Sequence, residues 1–183
     1  MNKRSFGALF GPYLPVEYGT SALAGGLVEN MDMDHTTRRM DAVVRFSAPI
    51  LPEELFGAEQ ALARALGIAG VGLHPLYPAD TFTAEVCPWV ITHLKRENVA
   101  VNGVFDDAGY RLEEDELYVS LSHGGVNILS ATGADKQLQA LIYRQYDRRV
   151  NIHFDGEEAA TKDERYQKMM EQAEQEAAQR AKE

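Results

Sequence analysis

Hydrophobic and polar positions change period several times along the chain, and each change marks an element. Phe6, Leu9, Phe10, Tyr13 and Leu14 recur at helical spacing and predict a short helix over 5–14 that closes before Pro15. Residues 27–34 alternate, with Met31 and Met33 on one side and Asp32 and Asp34 on the other. Residues 40–47 repeat the pattern, Met40, Ala42, Val44 and Phe46 opposing Asp41, Arg45 and Ser47. Period two means strand, and the polar "HTTRR" between the two runs suits a hairpin loop. Pro52 with Glu53 and Glu54 opens a helix, because proline fits the first turn and carboxylates favour its positive end. Leu55, Ala58, Leu62 and Leu66 mark one face of that helix, and Gly67 stops it. Val71, Leu73 and Tyr77 then predict a third strand.

The two prolines of "HPLYPAD" mark a junction. Beyond it Val86, Val90 and Leu94 share a helical stripe that ends near Asn98, and "NVAVNGVFDDAG" is rich in turn residues. Tyr110 and Leu112, then Leu117, Val119 and Leu121, alternate on either side of "EEDE" and predict a hairpin. Helical runs over 125–131 and 134–147 follow, and Val150, Ile152 and Phe154 close with a strand. The expected class is therefore α+β. Two small α/β sandwiches over 1–78 and 79–155 each carry a small, mostly antiparallel sheet covered by helices on one face. The second reads helix, strand, strand, helix, helix, strand. Units of this size bury only about 60% of their unfolded surface, so packing against one another would help both. Over 156–183 the composition turns to Glu, Gln, Ala and Lys, with only a thin stripe of Tyr166, Met170, Ala173 and Ala177. That predicts an exposed helical linker. It stops at Glu183 without a cap, as a chain cut from a longer one would.

Composition narrows the function classes. Hydrophobic residues make up 45% and charged residues 25%, as in ordinary globular proteins. No apolar run approaches the roughly 20 residues of a membrane span, and the opening residues break at Gly7, Gly11 and Pro12, too early for a signal peptide. With the single Cys87, this predicts a cytoplasmic protein with no membrane partner. Lys and Arg number 18 against 28 Asp and Glu, a net charge of −10. Broad nucleic-acid binding rests on cationic side chains, so the balance favours protein partners.

Candidate chemistry is sparse. Ser122-His123-Gly124-Gly125 sits where a strand-like run ends, but no Gly-x-Ser-x-Gly elbow or phosphate-loop pattern accompanies it. The glycines are expected to turn the chain from strand into helix. Asp32, Asp34 and His35 do not share one strand face, and the five histidines show no metal-ligand spacing, so no metal or cofactor is expected. Cys87, beside Pro88 and Trp89, reads as a buried inert thiol, and Glu113 to Glu116 as a solvated hairpin tip. The one basic cluster is Arg144, Arg148 and Arg149. Arg144 and Arg148 stand four apart, as on one helix face, where they could meet a phosphate or an acidic partner or pair with Asp147 or Asp155. No catalytic residue is assigned.

Three runs in order, "LKRENVAVNG" (94–103), "ELYVSLSHGG" (116–125) and "LIYRQYDRRVNIHF" (141–154), followed by a Glu/Gln/Ala-rich tail, resemble the N-terminal region of PolC-type bacterial DNA polymerase III alpha subunits. "FGALFGPYLP", the Met40 to Phe46 strand and "PILPEELFGAEQALARALG" are similar to that region's first domain. The resemblance implies a noncatalytic region of a replicative enzyme whose DNA-directed polymerase and 3'-5' exonuclease activities, and whose Mg²⁺, belong to later domains. It implies a first domain like the polymerase-binding domain of the clamp loader's tau subunit and a second domain with the type II KH order. Partners would be replisome proteins, tau among them, with DNA met through the parent polymerase. KH domains clamp nucleic acid with a Gly-x-x-Gly loop. Here that junction reads "SATGADK", with Gly133 alone. A KH-like nucleic-acid-binding module is the alternative, and a stand-alone enzyme has no motif behind it.

Overall fold

A computed structural model describes residues 4–19 and 21–156. The linker expected over 156–183 lies, apart from Gly156, outside them. Ser5 caps helix α1 (Phe6–Phe10) by accepting the Ala8 N–H at 3.2 Å, and the buried Phe6 and Phe10 rings stand 5.0 Å apart. After Pro15 comes a single turn, α2 (Val16–Gly19), and then the hairpin of β1 (Leu27–Asp34) and β2 (Arg39–Arg45). Asp34 Oδ1 shapes the hairpin loop by accepting the Thr36 and Thr37 N–H groups at 2.8 and 3.2 Å. Helix α3 (Pro52–Leu66) starts and stops where the sequence places it. Gly67 takes φ 63°, its N–H reaches the Arg64 carbonyl and that of Ile68 reaches Ala63, a Schellman ending. The chain returns as β3 (Gly70–Leu76).

The second half repeats the plan. Helix α4 (Cys87–Glu97) precedes the hairpin of β4 (Gly109–Glu113) and β5 (Glu116–Ser120). Helices α5 (Val126–Thr132) and α6 (Ala134–Tyr146) follow, split by Gly133 at φ 65°, and β6 (Asn151–Asp155) closes the chain. The fold is α+β, with two three-stranded sheets ordered β1-β2-β3 and β4-β5-β6. In each, the hairpin is antiparallel and the last strand lies parallel to the middle one. The expectation of mostly antiparallel sheets is therefore corrected: each is mixed. A strand that returns through a helix enters from the same end as its neighbour, and a two-residue turn cannot do that.

Sidedness follows period two. In the second sheet Leu117 and Val119 are buried, whereas Glu116, Tyr118 and His153 form a solvent face. The buried apolar residues of both halves form one contiguous cluster. It crosses between them through Tyr77, whose ring lies 5.0 Å from that of Tyr146; within the second half Phe82 packs 5.1 Å from the same Tyr146 ring. The Tyr77 hydroxyl accepts the Ile50 N–H at 3.3 Å, and burial pushes the acidity constants of both tyrosine hydroxyls above their ordinary range.

Loss of the Tyr146 ring should be felt by the whole chain. Tyr146→Ala is expected to cost about 3–5 kcal/mol in a urea unfolding curve. Val99→Ala, at an exposed position, should stay within about 0.5 kcal/mol of the parent protein.

Candidate functional site

The basic cluster expected from sequence is dispersed. Asp147 adopts φ 49° and ends α6 at Tyr146, so Arg148 leaves the helix and no longer shares a face with Arg144. Arg144 instead reaches across to α4, with Nη2 2.5 Å from Glu97 Oε1. Arg148 donates from Nε to Asp115 Oδ1 and from Nη1 to the Phe82 carbonyl, both at 3.1 Å, and from Nη2 to the Glu114 carbonyl. It thereby ties the β4–β5 turn to the segment before α4. Arg149 lies 5.4 Å from the Tyr143 ring centroid. Neither Asp147 nor Asp155 supplies the carboxylate for Arg144 or Arg148. The partners come from Glu97 and Asp115, far off in sequence.

Gly124 and Gly125 take φ 71° and 108°, and the Gly125 carbonyl accepts the first helical N–H groups of α5, from Ile128 at 2.9 Å and Leu129 at 3.1 Å. A Cβ on Gly125 would stand 2.9 Å from Val104 Cγ1, so both backbone angle and space require glycine there. The neighbouring His123 is exposed, 3.4 Å from Asp107 Oδ2. The Cys87 thiol is buried, donates to the Thr83 carbonyl at 3.5 Å, and is pushed up to about 12 by desolvation. The acidic tip is more than a solvated run. Glu116 accepts from Asn151 Nδ2 at 2.7 Å and pairs with His153 Nε2 at 2.5 Å, which together hold its carboxyl below the ordinary range, the Asn151 bond most strongly. Among the described residues no group of three or more His, Cys, Asp or Glu could hold a metal ion. No helix among them is long and apolar enough to cross a membrane.

A polar cleft of about 210 Å³ lies where β3 and α3 of the first half meet α4 and α6 of the second. On one wall Glu59, 6% exposed on α3, accepts the Leu73 N–H at Oε1 (2.8 Å) and pairs through Oε2 with Arg96 Nη2 on α4 (3.0 Å). The Arg96 guanidinium also caps the Phe56 ring at 3.9 Å. Arg144 and Gln145 of α6 and His93 of α4 also line the cleft. The His93 ring meets Phe56 edge-on at 5.1 Å and makes no hydrogen bond among the described residues. Burial first, then the nearby charges of Arg96 and Arg144, bring it down to about 4, so the imidazole is neutral at neutral pH. Sequence reasoning missed Glu59, His93 and Gln145, yet a signal existed. Glu59 falls at the i+4 position from Leu55 and Gln145 at i+4 from Leu141, inside apolar stripes where an unpaired polar residue would be costly. Compared with known proteins, the chain matches no family model, no curated protein and no solved structure.

The depressed His93 predicts an acid-side loss of stability. The folded value of about 4 lies below the ordinary 6.5, so the unfolded chain binds more protons between those limits. Stability is full above about pH 6.5 and falls toward pH 4, by at most about 3 kcal/mol from this group. In unfolding curves taken from pH 7 to 4, His93→Gln should flatten that slope.

Proposed function

We propose that this chain is a noncatalytic, protein-contacting region of a cytoplasmic replicative DNA polymerase, of the kind found at the N-terminal end of PolC-type DNA polymerase III alpha subunits. Its residues 1–78 would be the tau-domain-like unit and 79–155 the KH-like unit. Polymerisation, proofreading and Mg²⁺ binding then belong to later domains of the parent enzyme. The sequence runs described above support the family reading, and so does the order α4-β4-β5-α5-α6-β6, which is the helix and strand order expected of the second unit.

One observation carries the contact role. Met31 and Met33 of β1 lie opposite Ala42 and Met40, on the face of the first sheet that is elsewhere buried. Yet they are 52% and 37% exposed on an edge strand that, among the described residues, pairs only with β2 along this stretch. Uncovered methionines on a core-type face are adaptable contact surface. A DNA-binding role draws less support. The groove beside Gly133 is lined by Lys136 but also by Asp135, and Arg144 and Arg148 are engaged with carboxylates.

Immobilised protein exposed to purified replisome subunits should retain tau. Met31→Asp with Met33→Asp should weaken that retention about tenfold or more while leaving the circular dichroism spectrum unchanged. Retention that ignores the double variant, or no retention of any subunit, would count against this role. A low-salt gel shift with single- and double-stranded DNA should show little or no retardation, and salt-sensitive binding would favour the KH-like nucleic-acid module instead.

A further inference from the structure

The cleft between the two halves has features that its structural role leaves unused. The Gln145 side-chain amide belongs to a residue only 4% exposed, and it has no hydrogen-bond partner among the described residues. Its polar atoms are absent from the fully enclosed unsatisfied groups, so they retain access to open space, and the cleft is the cavity that Gln145 lines. His93, equally unpartnered, lines the same space. The walls carry the guanidinium groups of Arg39, Arg96 and Arg144, each paired with one carboxylate, those of Asp41, Glu59 and Glu97. A guanidinium has five N–H donors. Arg144 uses Nη2 on Glu97, and Arg96 uses Nη2 on Glu59. Donors remain on both.

We propose that this cleft binds the phosphate group of a small anion, with the remaining guanidinium donors of Arg96 and Arg144 and the neutral donors of His93 and Gln145 turned to it. The donors stand on α4 and α6, so they approach from two sides. A tetrahedral oxyanion presents acceptors in several directions and suits such a site better than a planar carboxylate does. At about 210 Å³ the space falls below the usual range for drug-sized ligands and fits a compact anion. The half-buried imidazole is held neutral by desolvation first and by Arg96 and Arg144 next, and a bound anion would favour its protonation, which makes its ring signals a reporter of binding. The site stands apart from the methionine edge of β1 and does not depend on the replisome reading.

The test is an NMR titration of the whole chain, following the His93 ring signals, with inorganic phosphate, pyrophosphate and adenosine monophosphate at fixed ionic strength. Saturable movement of those signals with at least one probe is expected. Preference for pyrophosphate or phosphate identifies a free anion, and preference for the monophosphate identifies a nucleotide. Arg144→Gln, at a half-exposed position that should fold normally, is expected to weaken binding about tenfold. Lys136→Gln, outside the cleft, should leave it unchanged. Signals that stay fixed with all three probes overturn the proposal, as does binding that Arg144→Gln leaves intact.

Discussion

The outer edge of β3 is the constraint on which the rest of the molecule depends. A strand at the edge of a sheet presents main-chain donors that must find partners or water. Here Leu73, Pro75 and Tyr77 fall at every second position, so their nitrogens point to the same side. The Leu73 N–H is taken by the Glu59 carboxylate, Pro75 has no N–H to satisfy, and the Tyr77 N–H is taken by the Gln145 carbonyl of α6 at 2.7 Å. The first sheet is thus finished partly by its own helix and partly by the second half of the chain. Arg96 extends the seal, because its ion pair with Glu59 ties α4 to α3 beside that edge. Removing one partner would leave a buried charge or amide unpaired, which costs more than the bond itself contributes.

This way of closing an edge has consequences for function. Because polar groups rather than a dry apolar seam finish β3, a polar cleft remains at the junction, with Gln145 and His93 left over from the sealing. The opposite edge of the same sheet, β1, is treated differently. Its start is covered by residues 4–6, with Phe6 N–H bonding the Gly26 carbonyl at 2.6 Å and Val28 N–H the Arg4 carbonyl at 3.0 Å. Further along, Met31 and Met33 stay uncovered. One edge is therefore closed on the chain itself, and the other keeps an exposed apolar stretch at Met31 and Met33.

Much of the fold was legible. Helix α3 is announced by Pro52, Glu53 and Glu54 and ended by Gly67, whose positive φ the sequence can imply because few other residues adopt it. The six strands among the described residues fall where period two appears. Strand direction was not legible, because alternation says which face is buried and not which end a strand enters from. The basic cluster misled for a local reason: helical spacing placed Arg144 and Arg148 together, but Asp147 in the left-handed region ended the helix between them. Their true partners, Glu97 and Asp115, lie 47 and 33 positions away, beyond the reach of any window along the chain. Glu59 drew no reading from the sequence, although its place in the Leu55–Leu62 stripe agrees with the burial the fold gives it.

Native-state hydrogen exchange reads the closing of β3 most directly. If the second half seals that edge, the Leu73 and Tyr77 amides and the Val119 amide of the central strand β5 should exchange with one common free energy, that of unfolding the whole chain. Leu73 and Tyr77 exchanging at the pace of surface loops, or the two sheets opening with separate energies, would contradict the account.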